Sequence, residues 1–186
     1  MRKAFAAIDR RGFLPEPQRR FAAGNRPLRI GHGQTNSQPS TVVNMLELLD
    51  VRAGQRVLDV GAGSGWTTAL LGTLVGPTGR VIGVERVPEL ARWGAENMAR
   101  HELPWATITE ASPDAYGAPH DGPFDRILVS AEADDLPLEL VDQLGDAGAL
   151  VIPVRGVMLR VQRHLDGTTT TTTHGHYSFV PLIGPR

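Results

Sequence analysis

The 186-residue sequence contains no cysteine. Disulfides, thiol nucleophiles and thiolate metal sites are thereby excluded. An excess of charge of one sign is also missing, since 19 Lys and Arg face 20 Asp and Glu, giving a formal net charge of -1. The chain as a whole therefore exerts no electrostatic pull on nucleic acid or an anionic membrane, and neither is expected as a partner. No apolar run reaches the length of a membrane span, and Met1 to Ile8, with Arg2 and Lys3, lacks the apolar stretch of a signal peptide. The expected location is the cytoplasm. Two catalytic signatures are absent as well: no Gly-x-Ser-x-Gly elbow of a serine hydrolase, and no Gly-Lys-Ser/Thr to close a phosphate loop. Aromatic residues make up only 5%, whereas 21 glycines and 14 prolines point to many tight turns.

What is present is a regular alternation of strand and helix signals. Lys3 to Arg20 reads as a short amphipathic helix followed by an irregular stretch broken by Pro15 and Pro17. Arg26 to Ser40, with two glycines and two prolines, reads as a long polar loop, a feature that usually serves function. Ser40 or Thr41 can cap a helix whose apolar stripe is Val42, Val43, Met45, Leu46 and Leu49. Strands follow at Arg56–Val60, Arg80–Glu85, Ala106–Thr109, Phe124–Ser130 and Ala149–Pro153, with helices at Trp66–Val75, Glu89–Arg100 and Leu138–Leu144. Strand-helix alternation of this kind predicts an α/β fold with a mainly parallel, doubly wound sheet. Val157–Leu165 and Tyr177–Leu182 read as an antiparallel hairpin at its edge, joined by Asp166-Gly167 and the threonine run 168–173. The expected organisation is a single domain: residues 1–40 as N-terminal helix and active-site loop, 41–155 as a Rossmann-like core, and 156–186 as the C-terminal hairpin.

Val57-Leu58-Asp59-Val60-Gly61-Ala62-Gly63-Ser64-Gly65 is an apolar strand running into a glycine-rich turn. Glycines allow positive φ and a close approach of ligand to backbone, and a helix N-terminus beyond them offers N–H donors. Glu85 comes 20 residues after Gly65 at the end of the next strand, where a carboxylate can accept from both hydroxyls of a ribose. A nucleoside ligand is expected, held by Asp59, Val60, Gly61, Ala62, Gly63, Gly65 and Glu85. A dinucleotide fingerprint counted from Gly61 requires glycine at position 66, where Trp66 stands, so NAD is disfavoured. Asp59 before the turn can face a cationic ammonium, whereas a pyrophosphate would be repelled there. His174 and His176 alternate as metal ligands can, but no third ligand stands nearby, and no metal is expected.

Ile30-Gly31-His32-Gly33-Gln34-Thr35-Asn36-Ser37-Gln38-Pro39 resembles the motif Ile-Gly-x-Gly-Gln-Thr-Ile-Ser-Gln-Pro of the protein-L-isoaspartate O-methyltransferase family. Arg11-Gly12-Phe13-Leu14-Pro15, the Asp59 to Gly65 turn, Pro123-Phe124-Asp125-Arg126-Ile127 and Phe179-Val180-Pro181-Leu182 agree in the same order, so the resemblance spans nearly the whole chain. It implies a class I fold dependent on S-adenosyl-L-methionine. It also implies transfer of a methyl group to the α-carboxylate of L-isoaspartyl residues in damaged proteins, an ester that collapses to a succinimide and reopens as aspartate. Ser37 corresponds to the family's active-site serine; Thr35 joins it as a catalytic candidate, and Thr35, Asn36 and Ser37 help enclose the cofactor. These residues act by positioning, because the sulfonium methyl is already activated and the carboxylate is already ionised at neutral pH. A monomer acting on isoaspartyl peptides is expected.

The chain departs from the family pattern in several places. Ala111-Ser112-Pro113-Asp114-Ala115-Tyr116-Gly117 stands where the family has Gly-Asp-Gly at the adenine, so Ser112 and Asp114 are the candidates there, while Pro113 removes a backbone donor. Asn36 replaces an apolar residue, and Glu132 replaces an alanine near the expected acceptor. These departures also suit a related O-methyltransferase acting on another carboxylate or a modified peptide, or a degenerate cofactor-binding module.

Overall fold

The computed structural model describes residues 1–185. Its strands are β1 (Leu28–Gly31), β2 (Gln34–Asn36), β3 (Arg56–Val60), β4 (Arg80–Glu85), β5 (Ala106–Glu110), β6 (Phe124–Val129), β7 (Leu144–Val154), β8 (Val157–Arg163) and β9 (Thr169–His176). Its helices are α1 (Arg2–Ala7), α2 (Pro39–Leu49), α3 (Trp66–Val75), α4 (Pro88–Met98) and α5 (Leu138–Asp142). Seven strands form one sheet in the order β5-β4-β3-β6-β7-β8-β9, parallel through β7 and antiparallel for the last two pairings. The chain runs outward from β3 to β5, then returns to place β6 on the other side of β3. In such a sheet the crevice beyond the carboxyl ends of the two central strands is the place for a ligand.

The central strands read as unbroken apolar runs because both faces are covered. Val57 and Val81 point into a core shared with α2, α3 and α4, while Leu58, Val60, Ile82 and Val84 point into a second core closed by α5 and the connection through Tyr116 and Ala118. Helix α2 buries Val42, Met45, Leu46 and Leu49 at three- and four-residue spacing and ends on Asp50 at φ 49°. Its start differs from expectation: neither Ser40 nor Thr41 caps it, and Pro39 opens the helix, its fixed φ and missing N–H suiting the first turn.

Several expected boundaries shift. The Arg26–Ser40 stretch is no simple loop, since β1 and β2 pair across a tight turn in which Gly31, His32 and Gly33 all have positive φ. Helix α4 spans 88–98 rather than 89–100, and α5 ends at Asp142, because Leu144 already belongs to β7 and lengthens it through a bulge near Gly145 to Gly148. At the C-terminus the second hairpin strand is the threonine run itself, Thr169–His176, and not Tyr177–Leu182. Asp166 and Gly167 close the turn: the Asp166 carboxylate accepts from the Thr168 N–H and hydroxyl, and Gly167 takes φ +82°. β-Branched threonines then continue as strand. Residues 177–182 instead return across the carboxyl end of the sheet, where Glu132 N–H donates to Val180 O (2.8 Å) and Leu182 N–H to Glu132 O (2.7 Å).

Gly94 fixes how closely α4 approaches the turn after β3. A Cβ there would lie 2.7 Å from the Gly63 carbonyl and 3.1 Å from Ile108 Cδ1. Gly94→Ala is expected to lose about 1–3 kcal/mol, since overpacking outweighs the gain in helix propensity. Thermal unfolding reads this as a midpoint lowered by a few degrees.

Candidate active site

The turn after β3 is built by spending its own donors. Gly61 N–H and Ala62 N–H both donate to Val84 O (2.9 and 3.1 Å), and Gly65 N–H donates to Ala62 O (2.8 Å). Gly63 N–H donates to Glu85 Oε2 (2.8 Å). Positive φ at Gly61 (78°), Gly63 (53°) and Gly65 (92°) makes this path possible. A phosphate-binding loop needs such N–H groups free and convergent, so this turn is unsuited to phosphate.

Glu85 is nearly buried, and its Oε1 accepts from Val87 N–H (2.9 Å). Each oxygen keeps a lone pair for a further donor. Asp59 lies deeper and is fully buried. Thr67 and Thr68 hydroxyls donate to its Oδ2 at 2.8 and 2.7 Å, while Oδ1 has no partner. Burial raises its pKa to about 6, the two threonine hydroxyls opposing that rise and Glu85 adding to it. Asp59 thus does not face a ligand as the sequence suggested: it sits on the α3 side of β3, with Thr67 between it and the cavity. Together the two carboxylates give the turn negative potential, which suits a cationic ligand.

Three cavities meet above the turn. The first, about 670 Å³ counting the space open to solvent, runs from an apolar end at Val84, Ala115 and Tyr116, past Glu85, to Gly61 and Gly63. The second, about 1210 Å³, is a groove whose walls include Ser37, Gln38, Asn44, Tyr177 and Phe179. A third, of about 310 Å³, lies between the Asn36–Ser37 loop and the turn. Thr35 and Ser130 border all three.

Among the residues singled out in the sequence, Val60, Gly61, Gly63, Glu85 and Ser112 line the first cavity with Thr35. Ser37 lines the second and third, and Asn36 and Ala62 the third. Gly65 and Asp114 line none of the three. Gly65 is the contact with α4 and β5, where a Cβ would meet Ile108 Cδ1 at 2.9 Å and Gly94 O at 3.1 Å. Asp114 is exposed, with only its backbone N–H bound to Ser112 Oγ (3.2 Å). Glu132, expected near the acceptor, also lines none of them.

Sequence reasoning missed Ser130, Tyr116, Asn44 and the Val180–Ile183 segment. Ser130 was within reach, because it ends the strand beside β3 at the point where the sheet reverses, and its N–H donates to Val60 O (2.8 Å). The C-terminal segment carried a signal only in the family match of Phe179-Val180-Pro181-Leu182, a stretch that reads in the sequence as a hairpin strand. It is held by the two backbone bonds to Glu132 and, at Gly184, by the Arg86 guanidinium, which donates to the carbonyls of Pro113 and Gly184, both at 3.4 Å.

The strand order, the glycine turn and the carboxylate ending β4 define a Rossmann-like protein of the class I methyltransferase type. The sequence profile of the protein-L-isoaspartate (D-aspartate) O-methyltransferase family matches residues 1–186, and the chain belongs to that family. A protein-L-isoaspartate O-methyltransferase of Methanopyrus kandleri is 42% identical, covering 98% of this chain and 82% of the relative. That of Aeropyrum pernix is 41% identical, covering 98% and 72%. Among solved structures, a Plasmodium falciparum protein assigned as a protein-L-isoaspartate O-methyltransferase, in complex with S-adenosyl-L-homocysteine, is 28% identical with a TM-score of 0.84 over 97% of this chain and 88% of that one.

The buried Asp59 carboxyl makes a pH-dependent contribution of known sign. Its folded pKa of about 6 lies above the ordinary 3.8, so the stability it provides is fully present below pH 3.8 and is lost as pH rises through 6. The stability of the wild type relative to Asp59→Asn is therefore expected to fall by up to about 3 kcal/mol between pH 4 and pH 7. Denaturant titrations of both proteins at several pH values measure it.

Proposed function

We propose that this protein methylates the α-carboxylate of L-isoaspartyl residues in damaged proteins, with S-adenosyl-L-methionine as methyl donor. The observation that carries the reading is the junction at Thr35 and Ser130, residues shared by the pocket beside Glu85 and the groove lined by Ser37, Gln38, Asn44 and Tyr177. The same proposal has a monomer working in the cytoplasm on protein substrates, with neither nucleic acid nor membrane as partner. Among the described residues no helix is long and apolar enough to cross a membrane.

The residues present fit an adenosyl group. Val84, Ala111, Ala115 and Tyr116 offer an apolar slot for the base, Glu85 can accept from the ribose hydroxyls, and Gly61, Ala62, Gly63 and Gly65 already spend their N–H groups within the fold, which disfavours a phosphate. Bound S-adenosyl-L-methionine would supply a methyl group already activated by its positive sulfur. The remaining work falls to this chain's side chains. Thr35, Ser37 and Ser130 offer hydroxyl donors that replace water around an acceptor carboxylate and hold one of its oxygens in line. No general base is required, because that carboxylate carries no proton at neutral pH. Val180, Pro181 and Leu182, tied to Glu132, cover the junction and limit the entry of water. Since Glu132 itself lies outside the cavities, the carboxylate that would have repelled an anionic acceptor is not in the way.

Incubation with labelled cofactor and paired peptides differing only in Asp or isoAsp tests the reading. Base-labile methyl on the isoAsp peptide alone is the expected result, and methyl on neither peptide overturns it. In the same assay Ser37→Ala is expected to lower kcat/KM about ten- to hundredfold. Calorimetry on Glu85→Gln should show cofactor binding weakened by about ten- to hundredfold, the effect of losing a charged hydrogen-bond acceptor.

A further inference from the structure

Arg10 is a buried cation, only 4% exposed, without an ionic partner among the described residues. Neutral oxygens satisfy it instead. Nε donates to Asn36 Oδ1 (2.7 Å), Nη1 to the carbonyls of Ala22 (3.3 Å) and Gly24 (3.0 Å), and Nη2 to those of Arg26 (2.9 Å), Asn36 (3.1 Å) and Ser37 (2.8 Å). Its guanidinium carbon also lies 5.4 Å from the centre of the ring of Trp66, the first residue of α3. Burial lowers its pKa to about 10, which leaves it charged at neutral pH.

The network continues into the turn. Asn36 Nδ2 donates to Ser64 Oγ (3.1 Å), and Asn97 Nδ2 of α4 donates to the Ser64 carbonyl (3.0 Å). One side chain thus joins the 22–26 segment, the Asn36–Ser37 loop and the turn beside Glu85. Burying a charge costs stability unless something compensates it, and carbonyl dipoles compensate less fully than a carboxylate would. Because Arg10 Nη2 donates to the Ser37 carbonyl, its positive charge lies next to the residue that lines the second and third cavities.

We propose that Arg10 is a positioning residue for methyl transfer: it fixes Ser37 against the turn and supplies the potential that selects an anionic acceptor over its neutral isostere. This rests on the carboxyl-methylation reading and adds to it the group that senses the acceptor's charge. Asn36, which stands where the family motif has isoleucine, extends the clamp in this chain from Arg10 to Ser64.

Three measurements on full-length Arg10→Met and Arg10→Lys test it: amide hydrogen exchange, steady-state kinetics with an isoaspartyl peptide, and inhibition by the same peptide carrying an α-carboxamide. In Arg10→Met, exchange at residues 34–38 should quicken tenfold or more relative to β3 and β6. KM for the peptide should rise at least tenfold with kcat changed less than threefold, and the preference for carboxylate over carboxamide should fall at least fivefold. Arg10→Lys should recover the carboxylate preference but not the exchange protection, since it restores the charge without the planar fork. Unchanged protection or unchanged preference in a folded Arg10→Met overturns the proposal. Should that variant fail to fold, Asn36→Ile keeps the cation and cuts the link to Ser64. It should quicken exchange at 34–38 while retaining the carboxylate preference, and unchanged exchange there overturns the proposal. If the wild type methylates no isoaspartyl peptide, the functional reading falls, whereas the exchange measurements still decide whether Arg10 holds the loop.

Discussion

The hydrogen bond from Gly63 N–H to the Glu85 carboxylate is the contact on which the site depends. It ties the turn after β3 to the end of β4 and determines what the turn can bind. A glycine turn in front of a helix is a ready anion site when its N–H groups are free. Here Gly61, Ala62 and Gly65 donate within the fold and Gly63 donates to an acid, so the same backbone path becomes a seat for a ligand without phosphate. Gly94 lets α4 come close enough to support this path from behind.

Glu85 borders the pocket proposed for the donor, Asp59 lies buried behind the turn, and Arg10 stands beneath the loop that carries Ser37. A positive methyl donor and a negative acceptor brought together between them would each meet complementary potential, and their own charges would cancel as the methyl moves. An arrangement fixed before the ligands arrive lowers the cost of reorganisation during the reaction. Long-range steering has little part in this, because the chain is close to neutral overall.

Much of the fold was legible because its parallel strands are buried on both faces and read as apolar runs, and because Glu85 falls at the expected interval after the glycine turn. The tail was misread because threonine supports strand or loop equally well until a partner strand is known, and β8 provided one for Thr169–His176. The direction of Asp59 follows from strand alternation: it shares a face with Val57, toward α3, and the nearest donors are Thr67 and Thr68 in that helix's first turn. Arg10 could not be picked out at all. Nothing local separates it from Arg11, which is exposed. Only the folded chain brings the carbonyls of 22, 24, 26, 36 and 37 around one of the two.

A crystal structure of the protein with S-adenosyl-L-homocysteine and an isoaspartyl peptide tests the central claim most directly. The account predicts ribose hydroxyls on the Glu85 carboxylate, the base between Val84 and Tyr116, and the peptide's α-carboxylate at Thr35, Ser37 and Ser130, facing the sulfur. An adenosine seated away from Glu85, or a carboxylate bound far from Ser37, would contradict it.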